Sequence, residues 1–195
     1  MATKGDATRQ KIIAEATRLM QQNGFEATSM SDLVNATGLQ KGCLYFHFQG
    51  KDDLLAAVLE KAKADFLLLV DGALSGKTPG ERLDNFLKEV LDYQRNQGID
   101  CGCIFGNTAV EMSNKDKRIA AFVRDLFDQW TGKIRKVVKA AQQAGQVTVD
   151  IPADVLARHI IMSLEGGIML SRLEKDEKPL KDCLTALRVV IGLKK

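Results

Sequence analysis

Residues able to do chemistry crowd into one short run of this chain, ATGLQKGCLYFHFQGK over residues 36–51. Lys41, Tyr45, Phe46, His47 and Lys51 bring cations, hydrogen-bond donors and aromatic faces together. No acidic residue stands between Asp32 and Asp52. Such a set suits contact with a polyanion, since positive groups without neighbouring carboxylates leave their field unneutralised. Lys41 can donate to a guanine edge or to a phosphate, and Tyr45 and His47 to backbone oxygens. Lys51, where a helix should begin, adds its charge to N-terminal amides that already favour an anion.

Other chemistries find less support. GALSGKT (72–78) ends like a phosphate-binding loop, but one residue is missing between its glycines and it follows a helical pattern rather than a strand. A helix-to-helix connection is the expectation there. Cys101 and Cys103, in CGC, lack nearby thiolates or histidines to complete a metal site. They read as small thiols at a helix start, with a redox sensor using Cys101, Cys103 or Cys43 as the alternative. The two histidines, His47 and His159, are too few for a multi-histidine centre. No nucleophile and base pair emerges, so neither an enzyme nor a cofactor or metal is expected.

The elements that must hold the basic run read as helices. Ile12, Ile13, Ala16, Leu19 and Met20 form an apolar stripe that Gly24 closes. Thr28, Ser29 and Ser31 offer caps to a short helix carrying Met30, Leu33 and Val34 and ending at Gly38. A third helix starts near Gln40 and breaks at Gly50, and a long fourth opens at Lys51. Further helices are expected over about 81–97, 104–112, 116–144, 153–174 and 180–192. GQVTVDIP (145–152) is the one strand-like run, too short and solitary to make a sheet. The fold class is all-α.

On the third helix, at about 100° per residue, Leu44 and Phe48 share one face and should pin it to the first. Phe46 points nearly opposite, and Gly42 removes a side chain where another surface can approach. By periodicity alone, Tyr45 and Phe46 could instead cover a neighbouring core. Two short helices joined by a glycine-containing turn make a helix-turn-helix, whose second helix enters the major groove.

Residues 7–60, with TRQKIIAEATRLMQQNGFEATSMSDLVNATGLQKGCLYFHFQGKDDLL, resemble the DNA-binding domain of the TetR family of transcriptional regulators. The resemblance implies an N-terminal three-helix reading head and a divergent C-terminal helical domain that binds a small effector and dimerises. It also implies a repressor that binds a palindromic operator as a homodimer. The expected boundary puts the helix-turn-helix domain at 1–52 and the ligand-binding and dimerisation domain at 53–195. By position, Thr28, Ser29 and Ser31 would lie near phosphates, Lys41, Gly42 and Tyr45 in the groove, and His47 and Lys51 on the DNA backbone. Cys43 stands where the family often has Thr, Ser or Asn. Phe46 replaces what is often Tyr or His, which should alter sequence preference.

Beyond about Lys61, large and adaptable side chains supply an apolar cavity for a small, largely apolar effector. The expected lining is Phe66, Phe86, Tyr93, Phe105, Phe127, Trp130, Met162 and Met169, with Asn107, Glu111 and Glu165 to orient a polar group. Dimerisation is expected through the last two helices, by Ile161, Leu164 and Ile168 on one and Leu184, Leu187 and Ile191 on the other, with Gly166 and Gly167 allowing close approach. The net charge of +3 permits nucleic-acid binding without arguing for it. With no apolar run long enough to span a bilayer and no signal-like N-terminus, a cytoplasmic protein is expected.

Overall fold

The computed structural model describes residues 4–193. Nine helices make up the described chain: α1 (Lys4–Asn23), α2 (Met30–Thr37), α3 (Lys41–His47), α4 (Lys51–Ala73), α5 (Pro79–Gln97), α6 (Ile104–Met112), α7 (Lys117–Gln143), α8 (Ala153–Glu174) and α9 (Lys178–Val190). No strand occurs among the described residues. GQVTVDIP is held in turns instead: the Thr148 N–H donates to the Ile191 carbonyl at 2.8 Å, and the Gln142 amide donates to the carbonyls of Thr148 and Ile151 at 2.9 and 2.8 Å. No helix is long and apolar enough to cross a membrane among the described residues.

The chain packs as two compact units. Among the described residues, the first joins those up to Asp65 to 104–121, and the second joins 66–103 to those from Phe122 onward. These packing units do not follow a simple cut at 52/53. Residues of α6 and the first turn of α7 pack with the N-terminal helices, although they lie far along the sequence.

In the first unit the expected stripe of α1 is buried through Ile12, Ile13, Ala16 and Met20, together with Leu33 of α2 and Leu54, Leu55, Val58 and Leu59 of α4. Ser29 starts α2 with a capping box, its hydroxyl accepting from the Asp32 N–H while the Asp32 carboxylate accepts from the Ser29 N–H. Gly38 ends α2 at φ 66°, a left-handed conformation that side chains with a Cβ rarely adopt. The following turn redirects the chain into α3.

The second unit has one apolar core, drawn from α4, α5, α7, α8 and α9 and running from Val70 through Leu83, Phe86, Trp130, Ile134 and Leu164 to Leu187. Thr78 and Glu81 cap α5 with a second capping box, and Pro79 occupies the first turn, where its missing N–H costs nothing. Gly167 of α8 lies against Cys183 of α9: a Cβ added there would come within 3.0 Å of the Cys183 Cβ. The close approach expected of this glycine is therefore made inside the chain.

Candidate nucleic-acid interface and the aromatic core

Helix α3 is divided lengthwise, as its periodicity predicts. Leu44 and Phe48 are buried, and the Arg9 guanidinium of α1 lies 5.0 Å from the Phe48 ring centre. Lys11 of α1 donates to the Thr37 carbonyl at 2.8 Å, closing the C-terminal end of α2 against α1. The outward edge carries Lys41, Gly42, Tyr45 and Phe46, all exposed. Phe46 is 84% exposed and Tyr45 44%, so the alternative in which they cover a neighbouring core fails. Packing does not require Gly42 either, since a Cβ there would meet nothing within 4 Å.

Local contacts set the posture of this edge. The Lys41 ammonium stands 5.8 Å from the Tyr45 ring centre, and the Phe46 and His47 rings meet edge to face at 5.1 Å. Lys51 is tethered, donating to the Glu26 carbonyl at 3.0 Å with its ammonium 4.3 Å from the Phe25 ring centre. Cys43 is a half-buried free thiol.

The hydroxyl residues before α2 separate into different roles. Thr28 is fully buried and donates to the Gly24 carbonyl at 2.8 Å, which leaves it no surface for a phosphate. Ser29 is exposed but engaged in its cap, donating to Asp32 at 2.7 Å; this bond, the largest cause, holds the Asp32 carboxyl below its usual range. Ser31 is exposed.

Before α2, Glu26 is a node that the sequence did not announce. Its N–H donates to the Glu111 carboxylate of α6 at 3.0 Å, and its side chain pairs with Lys115. The Lys115 hydrogen bond, the first cause, lowers the Glu26 carboxyl. Glu111 also presses against Gly24, whose φ is 90°. Glu111, expected in the effector cavity, thus braces the unit that carries α3. Phe105 and Asn107, on the same helix, also belong to this unit.

Of the remaining cavity residues, Phe66, Phe86, Phe127 and Trp130 come together. The Trp130 ring meets Phe66 edge to face at 4.9 Å, meets Phe86 at 6.5 Å, and stacks on Phe127 at 5.9 Å. Tyr93 is half-buried. Met162 and Met169 are 58% and 62% exposed and point away from this core. An open groove of about 460 Å³ in the same unit, lined by Leu69, Gly72, Ala73, Ser75, Asn85, Lys88 and Glu89, contains none of the expected lining.

Among the described residues of this unit, the enclosed side-chain atoms Gln94 Oε1, Trp130 Nε1 and Glu165 Oε1 have no hydrogen-bond partner. Burial, the largest effect, pushes the Glu165 carboxyl up to about 7, against a hydrogen bond with Cys103 that lowers it. Gln94 escaped the sequence reading, yet it continues the buried stripe of α5 after Leu83, Phe86 and Leu87. A polar residue at an apolar position was the available signal. Burial also raises the thiols of Cys101 and Cys183, which disfavours their reactive thiolates.

The residues expected at a dimer interface are placed elsewhere. Ile161, Leu164, Ile168, Leu184, Leu187 and Ile191 are all buried in the chain's own core, so they have no surface to offer a partner. The exposed apolar side chains of α8 and α9 are Val155, Met162, Met169, Leu170, Leu173, Val189 and Val190. Helix α8 has two apolar faces, and periodicity alone cannot say which one meets its own chain.

Comparison with known proteins agrees with this arrangement. Residues 12–58 match the family described as bacterial regulatory proteins, tetR family, and residues 79–187 match the tetracyclin repressor-like C-terminal domain. The HTH-type transcriptional repressor DhaR of Mycobacterium sp. (strain GP1) is 26% identical over 181 residues, covering 92% of this chain and 89% of that one. The HTH-type transcriptional regulator LmrA of Bacillus subtilis is 29% identical, covering 90% and 92%. Among solved structures, a TetR transcriptional regulator from Chloroflexus aurantiacus superposes with a TM-score of 0.86 at 31% identity, covering 97% and 96%.

Proposed function

The chain belongs to the TetR family of bacterial transcriptional regulators, and from that membership we propose that it is a homodimeric repressor, binding a palindromic operator through α3 and released by a small effector held in the second unit. The observation that carries the reading is the outward edge of α3. Lys41, Tyr45 and Phe46 are exposed on a helix whose opposite edge is anchored by buried Leu44 and Phe48, and no acidic residue lies between Asp32 and Asp52. A bare aromatic ring in water is unfavourable unless a second surface covers it, and the major groove offers thymine methyls and base edges. Gly42 removes the side chain that would hold that surface away. Ser31 and His47 flank the contact, and Thr28 acts behind it by holding the turn before α2.

The dimer is built on the exposed apolar residues of α8 and α9. Val155, Met162 and Met169 recur at heptad spacing along α8, and Leu173 is 76% exposed at its end. Two copies pairing these faces would form the four-helix arrangement that buries them. A two-fold dimer also presents two α3 helices to half-sites about one DNA turn apart, roughly 34 Å. An effector shifts the protein off DNA only as far as it binds one state better than the other.

Operator binding by Lys41→Ala and Tyr45→Ala, measured by gel shift on a selected palindromic duplex across a salt series, tests the reading. Both variants should bind more weakly, and Lys41→Ala should reduce the salt slope by about 1. Wild-type affinity and slope in both would show that α3 does not read DNA. A thiol-responsive version of the same regulator has one observation in its favour, the half-buried free thiol of Cys43 on α3 itself; Cys103 bonds the Glu165 carboxyl, and a carboxyl beside a thiol disfavours its reactive thiolate. Oxidant-dependent release from DNA that disappears in Cys43→Ser would establish it, and normal induction of a cysteine-free variant would exclude it.

A further inference from the structure

The second unit contains enclosed polar atoms that its own folding does not use. Buried polar side chains are almost always hydrogen-bonded, and leaving one unpaired costs about 1–3 kcal/mol. Among the described residues, the enclosed side-chain atoms without a partner are Gln94 Oε1 on α5, Trp130 Nε1 on α7 and Glu165 Oε1 on α8. All belong to the second unit, and they lie on different helices. Such a set has no structural use, because each atom would be better paired or replaced by carbon.

Their chemistry is unequal. The indole N–H can only donate, the amide oxygen can only accept, and the carboxylate accepts when ionised. The Cys103 thiol is the polar neighbour that bears on Glu165, and among the described residues no lysine or arginine shifts its carboxyl. A carboxyl enclosed without a counter-ion favours a ligand that brings one. The aromatic rings of Phe66, Phe86 and Phe127 around Trp130 would receive the hydrocarbon part of that ligand, and aromatic faces also attract cations.

We propose that the second unit binds a small, mainly apolar amine as its cation, with Glu165 taking the ammonium group, the Gln94 carbonyl accepting a second N–H, and Trp130 Nε1 donating to an oxygen elsewhere on the ligand. This rests on the reading of that unit as the effector-binding part. The amine is the piece that reading lacks: it names the charge that the site demands. Glu165 acts as the charge partner, and Trp130 and Gln94 set the orientation. A ligand of equal shape without the nitrogen leaves the carboxyl unpaired, so the site discriminates by charge as well as by fit.

Trp130 is the single tryptophan of the chain, which makes the test direct. The probes are a series of arylalkylamines from phenethylamine to 4-phenylbutylamine, each with its matched primary alcohol and hydrocarbon, titrated into the full-length protein while tryptophan emission is followed. Amines should bind at least tenfold more tightly than their alcohols, and Glu165→Gln, which keeps the shape of the side chain, should erase that preference. Trp130→Phe, followed by calorimetry because it removes the reporter, should weaken binding of 4-methoxyphenethylamine, whose ether oxygen can accept from the indole N–H, and leave phenethylamine as it was. Equal binding of alcohols and amines, or a preference that survives in Glu165→Gln, overturns the amine site while leaving an effector cavity in place. An amine series that leaves the emission unmoved overturns the amine site as well. The neutral series then decides the broader reading by itself: no response from any member removes the effector cavity too.

Discussion

At the scale of single residues, two side chains stand apart from what folding requires. Phe46 is 84% exposed, so Phe46→Ala should leave stability within about 0.5 kcal/mol of wild type, as exposed substitutions usually do. Operator affinity should fall about tenfold, the scale of a lost apolar base contact. Replacing thymines of the operator by uracil, one half-site position at a time, locates the contact. One position should weaken the wild type and leave Phe46→Ala unaffected; if uracil has the same effect on both proteins at every position, Phe46 touches no thymine methyl. Glu165 is the other. Its carboxyl is pushed up to about 7 by burial, so between the ordinary glutamate range and pH 7 the folded state keeps a proton that the unfolded chain has released. Stability is therefore lost as pH rises through that window, by roughly 3 kcal/mol at about 1.4 kcal/mol per pH unit. Glu165→Gln removes this dependence. In urea unfolding it should exceed wild type at pH 8 and match it at pH 5, and parallel pH profiles for the two proteins would refute the buried ionisation.

At the scale of elements, the geometry of α3 depends on what precedes it. The Ser29 cap fixes the start of α2, the left-handed Gly38 fixes its end, and Lys11 ties that end to α1. Ser29→Ala should cost about 1 kcal/mol in stability, the usual value for a lost N-cap. Gly24 is more constrained, with φ of 90° and the Glu111 carboxylate where a Cβ would go. Gly24→Ala should destabilise by about 1–3 kcal/mol, measured by chemical unfolding. Only part of this should return when Glu111→Ala removes the clash, because the backbone conformation still penalises a side chain. Full recovery would mean that the backbone is unstrained. Both elements are legible locally: S-x-x-D before an apolar run announces the cap, and a glycine after an apolar stripe announces the stop. The partner of Gly24 is not legible, because Glu111 lies far along the chain.

At the scale of the whole molecule, the two apolar faces of α8 should respond differently to substitution. Leu164 is buried in the chain's own core, so Leu164→Ala should destabilise by about 2–5 kcal/mol and leave the association state of the folded protein as it was. Met162→Glu places a charge on the exposed face and should yield a folded monomer by sedimentation, with weaker operator binding because one half-site is lost. Dimers that persist in Met162→Glu would put the interface elsewhere. The grouping of α6 with the N-terminal helices belongs to this scale too. It moves Phe105, Asn107 and Glu111 out of the aromatic core that their residue types suggest.

The sequence by itself determined the all-α class, the helices and most of their ends, the helix-turn-helix with its anchored and outward edges, and the resemblance to TetR regulators. These follow from 3.6-residue periodicity, caps and glycines, which act within a few residues of one another. Tertiary structure decided which apolar face of α8 is core, which hydroxyls are buried, and which unit α6 joins. It also singled out Gln94, Trp130 and Glu165 among many polar and aromatic residues. Those outcomes depend on what lies across from a side chain, and a linear pattern records the spacing of apolar residues without recording what they face.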